Sequence, residues 1–276
     1  KYPMMPLSLF RNRLFSGVNA LTFFLYAGLS AAMLFLSLDM VQVQGFSQLE
    51  AGLSFLPFTI LLMAVSPIAG ALADKYGPRW LLVAGPLVSG AGMLLLATVG
   101  RVRGFQDYWA SFFPGMTVFG LGMAVTVAPL TAAVMGAAGQ QFSGVASGVN
   151  NALSRVAGVL ANAILGALAV LMFVGMVRQR AGDIPLPGRM EERVEEQTRN
   201  LGNAKAPAGL SARETTEVNR IFRDSFAVVY QRLLRISAGL AFAGALTGFF
   251  FVKDGGHRNN GNRPEAGLHD SPNIKD

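Results

Sequence analysis

The chain has 276 residues, of which 52% are hydrophobic and only 14% are charged, and it carries a formal net charge of +7. Soluble domains usually contain about 25% charged residues, whereas this chain has stretches of about 20 residues without charge, the length that a helix needs to cross a bilayer. The composition therefore excludes an ordinary soluble domain and predicts a protein that crosses a membrane several times.

Six membrane-spanning helices are predicted, so the expected fold class is an all-α membrane protein built as one six-helix bundle. The predicted spans are about 16–40, 51–73, 80–100, 109–135, 144–177 and 228–252. The interval 108–154 contains no charged residue and is too long for a single crossing. We place its break at 136–144, where glycines and two glutamines cluster.

Polar segments lie before, between and after these spans. Residues 1–15 are expected to form a lead-in, and because the first residue is Lys1 rather than Met, we expect a part of a longer protein. Residues 178–227 are expected to form an extramembrane loop with a short amphipathic helix. A solvated loop with little helix explains that segment equally well. Residues 253–276 are rich in Gly, Asn, Pro and charge, and we expect them to be disordered.

A charged turn lies between the second and third predicted spans. The segment GALADKYGPR, residues 70–79, has the spacing G-x-L-x-D-x-x-G-x-R. Gly70 allows close contact with a neighbouring helix. Gly77, followed by Pro78, permits the reversal that a two-span hairpin requires. These residues predict a tight turn between two membrane crossings.

The charged residues of this turn suggest a role beyond reversal. Asp74 can lie opposite the positive end of an adjacent helix or pair with a nearby arginine. Lys75 and Arg79 can hold the turn at an anionic membrane surface. A generic hairpin that follows the positive-inside rule would need only the lysine and the arginine.

The spacing resembles the signature loop of the major facilitator superfamily, which joins the second and third helices of a six-helix half on the cytoplasmic face. The resemblance implies a cytoplasmic turn that acts as a latch, with Gly70, Asp74, Lys75, Gly77 and Arg79 as a gating motif. Its contacts form in one transport state and break in the other. The cytoplasmic lead-in and tail then share that side, an orientation that the distribution of Lys and Arg alone leaves open.

Three further segments resemble the carboxyl-terminal half of fourteen-span drug:proton antiporters. They are the lead-in PLSLFRNRLF (6–15), the hairpin VQVQGFSQLEAGLSFLP (41–57) and the helix GVASGVNNALSRVAGVLANAILGAL (144–168). The resemblance implies one half-bundle of a major facilitator fold, whose missing partner is the amino-terminal half of the same transporter. We expect the titratable carboxylate of proton coupling in that absent half.

Some polar residues inside the predicted spans are candidates for function. Arg155 lies about a dozen residues into the fifth span, where it either lines a transport cavity or reaches the surface as a structural arginine. Asn151 shares its helix face, and Asn150 is adjacent. Asp39 ends the first span and carries protons if it is buried, although an interfacial carboxylate is the preferred interpretation. We treat these four residues as candidates for a transport pathway.

The predicted function is proton-coupled efflux of drugs or other lipophilic small molecules by alternating access, in a bacterial inner membrane. The expected partners are a small-molecule substrate, protons and membrane lipids. We expect no metal or other cofactor, because the chain has no cysteine and its histidines, His257 and His269, lie in the polar tail. Nucleic acid is disfavoured, because no basic stripe with interleaved aromatics appears.

Two alternatives stay open. A solute importer or permease of the same superfamily would share the motif, whereas a six-span scaffold without transport activity would leave the motif without a purpose. An enzyme is disfavoured, because no histidine lies in any predicted span and no aspartate lies deep in one. The phosphate-binding pattern GxxxxGK[ST] of an ATP-driven pump is also absent from the sequence.

Overall fold

The computed structural model describes residues 7–181 and 189–252. Within these ranges the chain forms eight α-helices and no β-strand. The helices are α1 (Arg13–Gln42), α2 (Gln48–Ser54), α3 (Leu56–Tyr76), α4 (Arg79–Leu96), α5 (Tyr108–Ala138), α6 (Ser143–Ala181), α7 (Arg189–Gln197) and α8 (Ala212–Phe251). The predicted disordered tail, the first six residues of the lead-in and residues 182–188 lie outside the described residues.

Six membrane crossings can be identified by length and apolarity. They are α1, α2 together with α3, α4, α5 with the short 3-10 turn before it, α6, and α8. The prediction of an all-α protein with six spans is therefore confirmed. The second crossing begins with a capping box, in which Ser47 and Glu50 each accept a hydrogen bond from the other's backbone N–H. Two backbone N–H groups at the start of the helix therefore have hydrogen-bond partners.

The helices pack around α1, α4, α5 and α8. Helix α1 lies against α8 and α6, α4 lies between α5 and α8, and α3 lies on the far side of α5. Helix α3 buries only Ala69 and Ala73, and α6 buries one stripe that includes Ala157 and Phe173. Much of the apolar surface of α3 and α6 is therefore uncovered within the described part of the chain.

Helices α4 and α5 approach each other closely at glycines. A Cβ atom built on Gly122 would lie 2.7 Å from the carbonyl oxygen of Gly85 and closer still to the backbone nitrogen of Ser89. Backbone atoms cannot rotate away from such a contact. The close packing of these two helices therefore depends on the absence of a side chain at Gly122.

Helix α8 is longer than the predicted sixth span. It runs without interruption for 40 residues, so the predicted amphipathic helix and the predicted span 228–252 are one element. A capping box between Ser211 and Glu214 starts it, and no proline follows before its end. Val218, Phe222 and Phe226 are buried, which continues the apolar face of the span into the segment predicted as a loop.

The alternating direction of the helices defines two ends of the bundle. The turn end contains the α3–α4 turn, the start of α1, the α5–α6 connection and the end of α8. There the side chain of Asn12 donates a hydrogen bond of 2.9 Å to the carbonyl oxygen of Ala137, which ties α1 to α5. The opposite end carries a cap, residues 189–211, whose 3-10 helix Thr198–Asn203 contacts α1, α6 and α8.

Candidate functional site

The α3–α4 turn has the geometry that its glycine predicts. Gly77 has a φ of 89°, a left-handed conformation that residues with a side chain rarely adopt. Its N–H donates to the carbonyl oxygen of Ala73 and closes α3. Pro78 precedes the first residue of α4, so the chain reverses within two residues. Gly70 lies against α5, where a Cβ would be 3.5 Å from that of Ala128, an ordinary contact.

Asp74 lies at the mouth of a cleft at the turn end. The cleft has a volume of about 390 Å³ and is lined by apolar residues of α1 and α5, among them Leu14 and Ala133, and by Val252. Asp74 is exposed and forms no ion pair among the described residues. A carboxylate at the carboxyl end of α3 is also opposed by the dipole of its own helix. Asp74 is therefore available for a partner outside the described chain.

Arg79 does not pair with Asp74 in this structure. Its guanidinium lies 5.6 Å from the ring centre of Trp80 and 5.5 Å from that of Phe249. Its Nε is buried without a hydrogen-bond partner among the described residues. Cation–π contacts of this kind stabilise an arginine on an aromatic face, so Arg79 links the start of α4 to the end of α8. Lys75 is exposed, with its ammonium 5.1 Å from the ring centre of Tyr76.

Asn150 and Arg155 lie on different faces of α6. The hydroxyl of Thr22 donates a hydrogen bond of 2.6 Å to Oδ1 of Asn150, which joins α6 to α1. Asn151 and Arg155 are exposed on the other side, and Arg155 forms no ion pair among the described residues. A second link between α1 and α6 runs from Nδ2 of Asn162 to Oγ of Ser30, at 3.0 Å.

Thr22, Ser30 and Asn162 are polar residues of the α1–α6 interface that the sequence analysis missed. Their signal is their polar character within charge-free spans. Such residues form hydrogen bonds across helices in membranes, but the sequence alone does not say which pairs meet. The Oδ1 atom of Asn162 is buried without a partner among the described residues.

Asp39 is buried inside the bundle at the cap end. Its side chain has 0% exposure, and Oδ2 accepts a hydrogen bond of 3.0 Å from Nε2 of Gln44. Oδ1 has no hydrogen-bond partner among the described residues. The fully buried Tyr230 lies within electrostatic range of Asp39 and donates its hydroxyl to the carbonyl oxygen of Leu96 at 3.3 Å.

Gln44 connects this buried carboxylate to the α4–α5 connection. Besides its bond to Asp39, its Nε2 donates to the carbonyl oxygen of Gly100 at 3.2 Å. Its Oε1 accepts a hydrogen bond of 2.9 Å from the N–H of Val102. One amide side chain therefore satisfies three groups that come from two separate parts of the chain.

The four predicted pathway residues do not form one site. Thr22, which contacts Asn150, and Asp39 are 17 positions apart on α1, which corresponds to about 25 Å along the helix axis. Asn151 and Arg155 form an exposed pair at intermediate height on α6, whereas Asp39 lies inside the bundle near α4 and α8. The described residues contain no group of three or more His, Cys, Asp or Glu side chains that could hold a metal ion.

Comparison with known proteins identifies related sequences. The profile of the Major Facilitator Superfamily matches residues 18–254. The chain is 25% identical over 256 residues to the tetracenomycin C resistance and export protein of Streptomyces glaucescens, a match that covers 91% of this chain and 46% of the relative. It is 30% identical over 168 residues to the multidrug transporter protein MdtP of Bacillus subtilis, with 61% and 30% covered.

A third relative is the lincomycin resistance protein of Streptomyces lincolnensis, which is 29% identical over 182 residues, with 66% of this chain and 36% of the relative covered. The chain thus spans less than half the length of these curated relatives. The range matched by the family profile, residues 18–254, contains the α3–α4 turn, the Arg155 face of α6 and the buried Asp39.

Proposed function

The chain belongs to the major facilitator superfamily and is a multi-pass integral membrane protein, and on this basis we propose that it forms the carboxyl-terminal half of a fourteen-span exporter. The exporter moves drugs or other lipophilic small molecules out of a bacterial cell across its inner membrane, in exchange for protons. The names of the relatives, which include export, resistance and multidrug transport, support this direction of transport.

The observation that carries the proposal is the exposure of Arg155. This arginine lies 12 residues after the start of α6, which corresponds to about 18 Å along the axis, and it is exposed without an ion pair among the described residues. A charge that faces lipid at such depth costs at least about 3 kcal/mol. The face of α6 that carries Asn151 and Arg155 therefore borders water or protein in the working molecule.

The uncovered faces of α3 and α6 support a second half-bundle as the covering partner. Helix α3 buries only two alanines, and α6 exposes large apolar side chains, among them Val159 and Ile164. Transporters of this kind place their substrate between two such bundles near the middle of the membrane. Rocking of the two bundles would expose Asn151 and Arg155 to each side in turn.

Efflux from intact cells tests the proposed function directly. Cells that produce the full-length protein should accumulate less ethidium, a lipophilic cation, than cells without it. A protonophore should abolish the difference, because export against a gradient requires the proton gradient. Equal accumulation with and without the protein, over a panel of lipophilic drugs, would contradict an exporter. Faster uptake would favour an importer of the same superfamily.

Arg155→Ala is expected to reduce efflux at least about tenfold while the protein still inserts into the membrane, because it removes the charge from the proposed transport pathway. A tenfold effect corresponds to about 1.4 kcal/mol of lost interaction. The measurement is the initial rate of ethidium efflux, normalised to protein in the membrane fraction. Arg155→Lys keeps the charge and should retain part of the rate. Arg103→Ala is a matched control, since Arg103 is exposed in the α4–α5 connection. If Arg155→Ala lowers only the amount of protein, the residue is structural.

Asp74→Asn is expected to slow efflux by about three- to tenfold without loss of membrane insertion. The change removes a charge whose contacts can favour one transport state over the other. A contact shifts the equilibrium between the two states only by the difference in its free energy between them. Efflux and the amount of membrane-inserted protein are measured together. Asp74→Glu keeps the charge and should restore most of the rate. Unchanged efflux in Asp74→Asn would rule out the latch.

A further inference from the structure

A cavity of about 460 Å³ lies at the cap end, between the end of α1, the cap and the first third of α8. Val41 and the buried Phe222 give it an apolar floor. Its polar side chains are Gln42, Asn203, Lys205, Asn219 and Arg223. This cavity is remote from the α3–α4 turn and from the Arg155 face of α6, and the proposed transport function does not use it.

The two charged side chains of the cavity are hydrogen-bond donors. Lysine and arginine side chains carry hydrogen-bond donors only, and neither Lys205 nor Arg223 forms an ion pair among the described residues. Oδ1 of Asn219 already accepts a hydrogen bond of 2.9 Å from the N–H of Ala206. The remaining capacity of that amide is therefore its two N–H donors.

No acidic side chain balances these charges within the cavity. None of its lining residues is Asp or Glu. The neighbouring acid in the sequence, Asp224, contacts Arg101 and Arg220, each at 3.5 Å. Two cationic side chains with unused donors around an apolar floor are the complement of an anion that carries an apolar group.

The backbone of the cap is held in an unusual conformation beside the cavity. Leu201 has a φ of 49°, a left-handed value that is uncommon for a residue with a branched side chain. It kinks the chain within the 3-10 helix, and residues 202–206, which follow the kink, line the cavity. The bond between Asn219 and Ala206 fixes this segment to α8. Strained backbone held by its surroundings is typical of binding sites.

The position of the cavity relative to the membrane suggests the source of the anion. Val41 and Gln42 are the last two residues of α1, and Asn219 and Arg223 lie in the polar first part of α8, before its charge-free stretch begins at Ile236. This level corresponds to the headgroup region that borders the hydrocarbon core. We propose that the cavity binds the phosphate group of an anion, with the headgroup of an anionic phospholipid as the ligand supplied by the membrane.

Binding to the purified full-length protein tests the proposal. Thermal stability in detergent is measured during titration with short-chain phosphatidylglycerol, with the zwitterionic phosphatidylcholine of equal chain length, and with inorganic phosphate. We expect saturable stabilisation by phosphatidylglycerol and little by phosphatidylcholine. Stabilisation by inorganic phosphate at similar concentration would assign the same site to a free phosphate. Both results support an anion site and distinguish its source.

Two variants connect the binding to this cavity. Lys205→Gln with Arg223→Gln should weaken the apparent affinity at least tenfold, whereas Arg103→Gln with Arg213→Gln removes two exposed arginines at the same end and should leave it unchanged. Asn219→Asp keeps an acceptor for the Ala206 N–H but places a negative charge in the cavity, so it should weaken binding without unfolding the cap. If all variants bind phosphatidylglycerol and phosphate equally, the proposal is overturned.

Discussion

Gly122→Ala is expected to cause a large loss of stability for the addition of a single methyl group. The added Cβ would meet the backbone nitrogen of Ser89 and the carbonyl oxygen of Gly85, so α4 and α5 would have to separate. Overpacking typically costs 1–3 kcal/mol when side chains can move. Because the opposing atoms belong to the backbone, we expect about 3 kcal/mol or more. The measurement is the midpoint of thermal unfolding of the purified protein in detergent.

Gly175→Ala is the matched control for this experiment. Gly175 also lies within a long helix, but a Cβ built there meets no atom within 4 Å. Alanine favours the helical conformation over glycine by up to about 1 kcal/mol, so this variant should be as stable as the original or slightly more stable. If Gly122→Ala and Gly175→Ala melt at the same temperature, the α4–α5 contact is not as close as the structure places it.

Gln44→Leu is expected to destabilise the protein by about 3 kcal/mol or more. The change removes the hydrogen bond that Asp39 accepts and leaves a buried carboxylate without any partner among the described residues. It also leaves the N–H of Val102 unpaired. Loss of the partner of a buried charged group is among the most costly single changes. Unfolding in detergent measures the loss, and the amount of protein in the membrane gives a second readout.

The neutral variant Asp39→Asn separates the charge from the packing at this site. An asparagine can still accept the hydrogen bond from Gln44 and buries no charge, so alone it should change stability by less than about 1 kcal/mol. Combined with Gln44→Leu, it should recover at least about 1 kcal/mol of that loss, since contacting residues show coupling of this size. Strictly additive effects would show that Asp39 is not held by Gln44.

The six crossings could be predicted because apolar stretches of bilayer length are a local property of the sequence. The length of α8 could not be predicted in the same way. With Arg213, Arg220 and Asp224 in its first half, the sequence was equally consistent with an amphipathic helix and with a solvated loop. The structure shows that Val218 and Phe222 are buried on one side of that half, so the charges occupy only the opposite side. An amphipathic half and an apolar half of one helix have different compositions, although the backbone does not change.

The environment of a site residue could be predicted where it is formed by residues nearby in the sequence. The conformation of Gly77 follows from the turn in which it lies. The burial of Asp39 depends on the α4–α5 connection and on α8, which are distant in sequence, so the sequence alone did not show that this carboxylate lies inside the bundle. Asp39 was grouped with Arg155 because both are charged residues near apolar spans. Their separation is a property of the packed bundle.

The continuity of α8 has a consequence for detecting movement. Forty residues of α-helix extend for about 60 Å, twice the roughly 30 Å thickness of the hydrocarbon core. A tilt of only about 10° around the middle of the membrane would displace the far tip of such a rod by about 8 Å. A spin label at Arg213 would therefore move farther than a label inside the membrane for the same tilt of the bundle. It would also lie in a region that aqueous probes can reach.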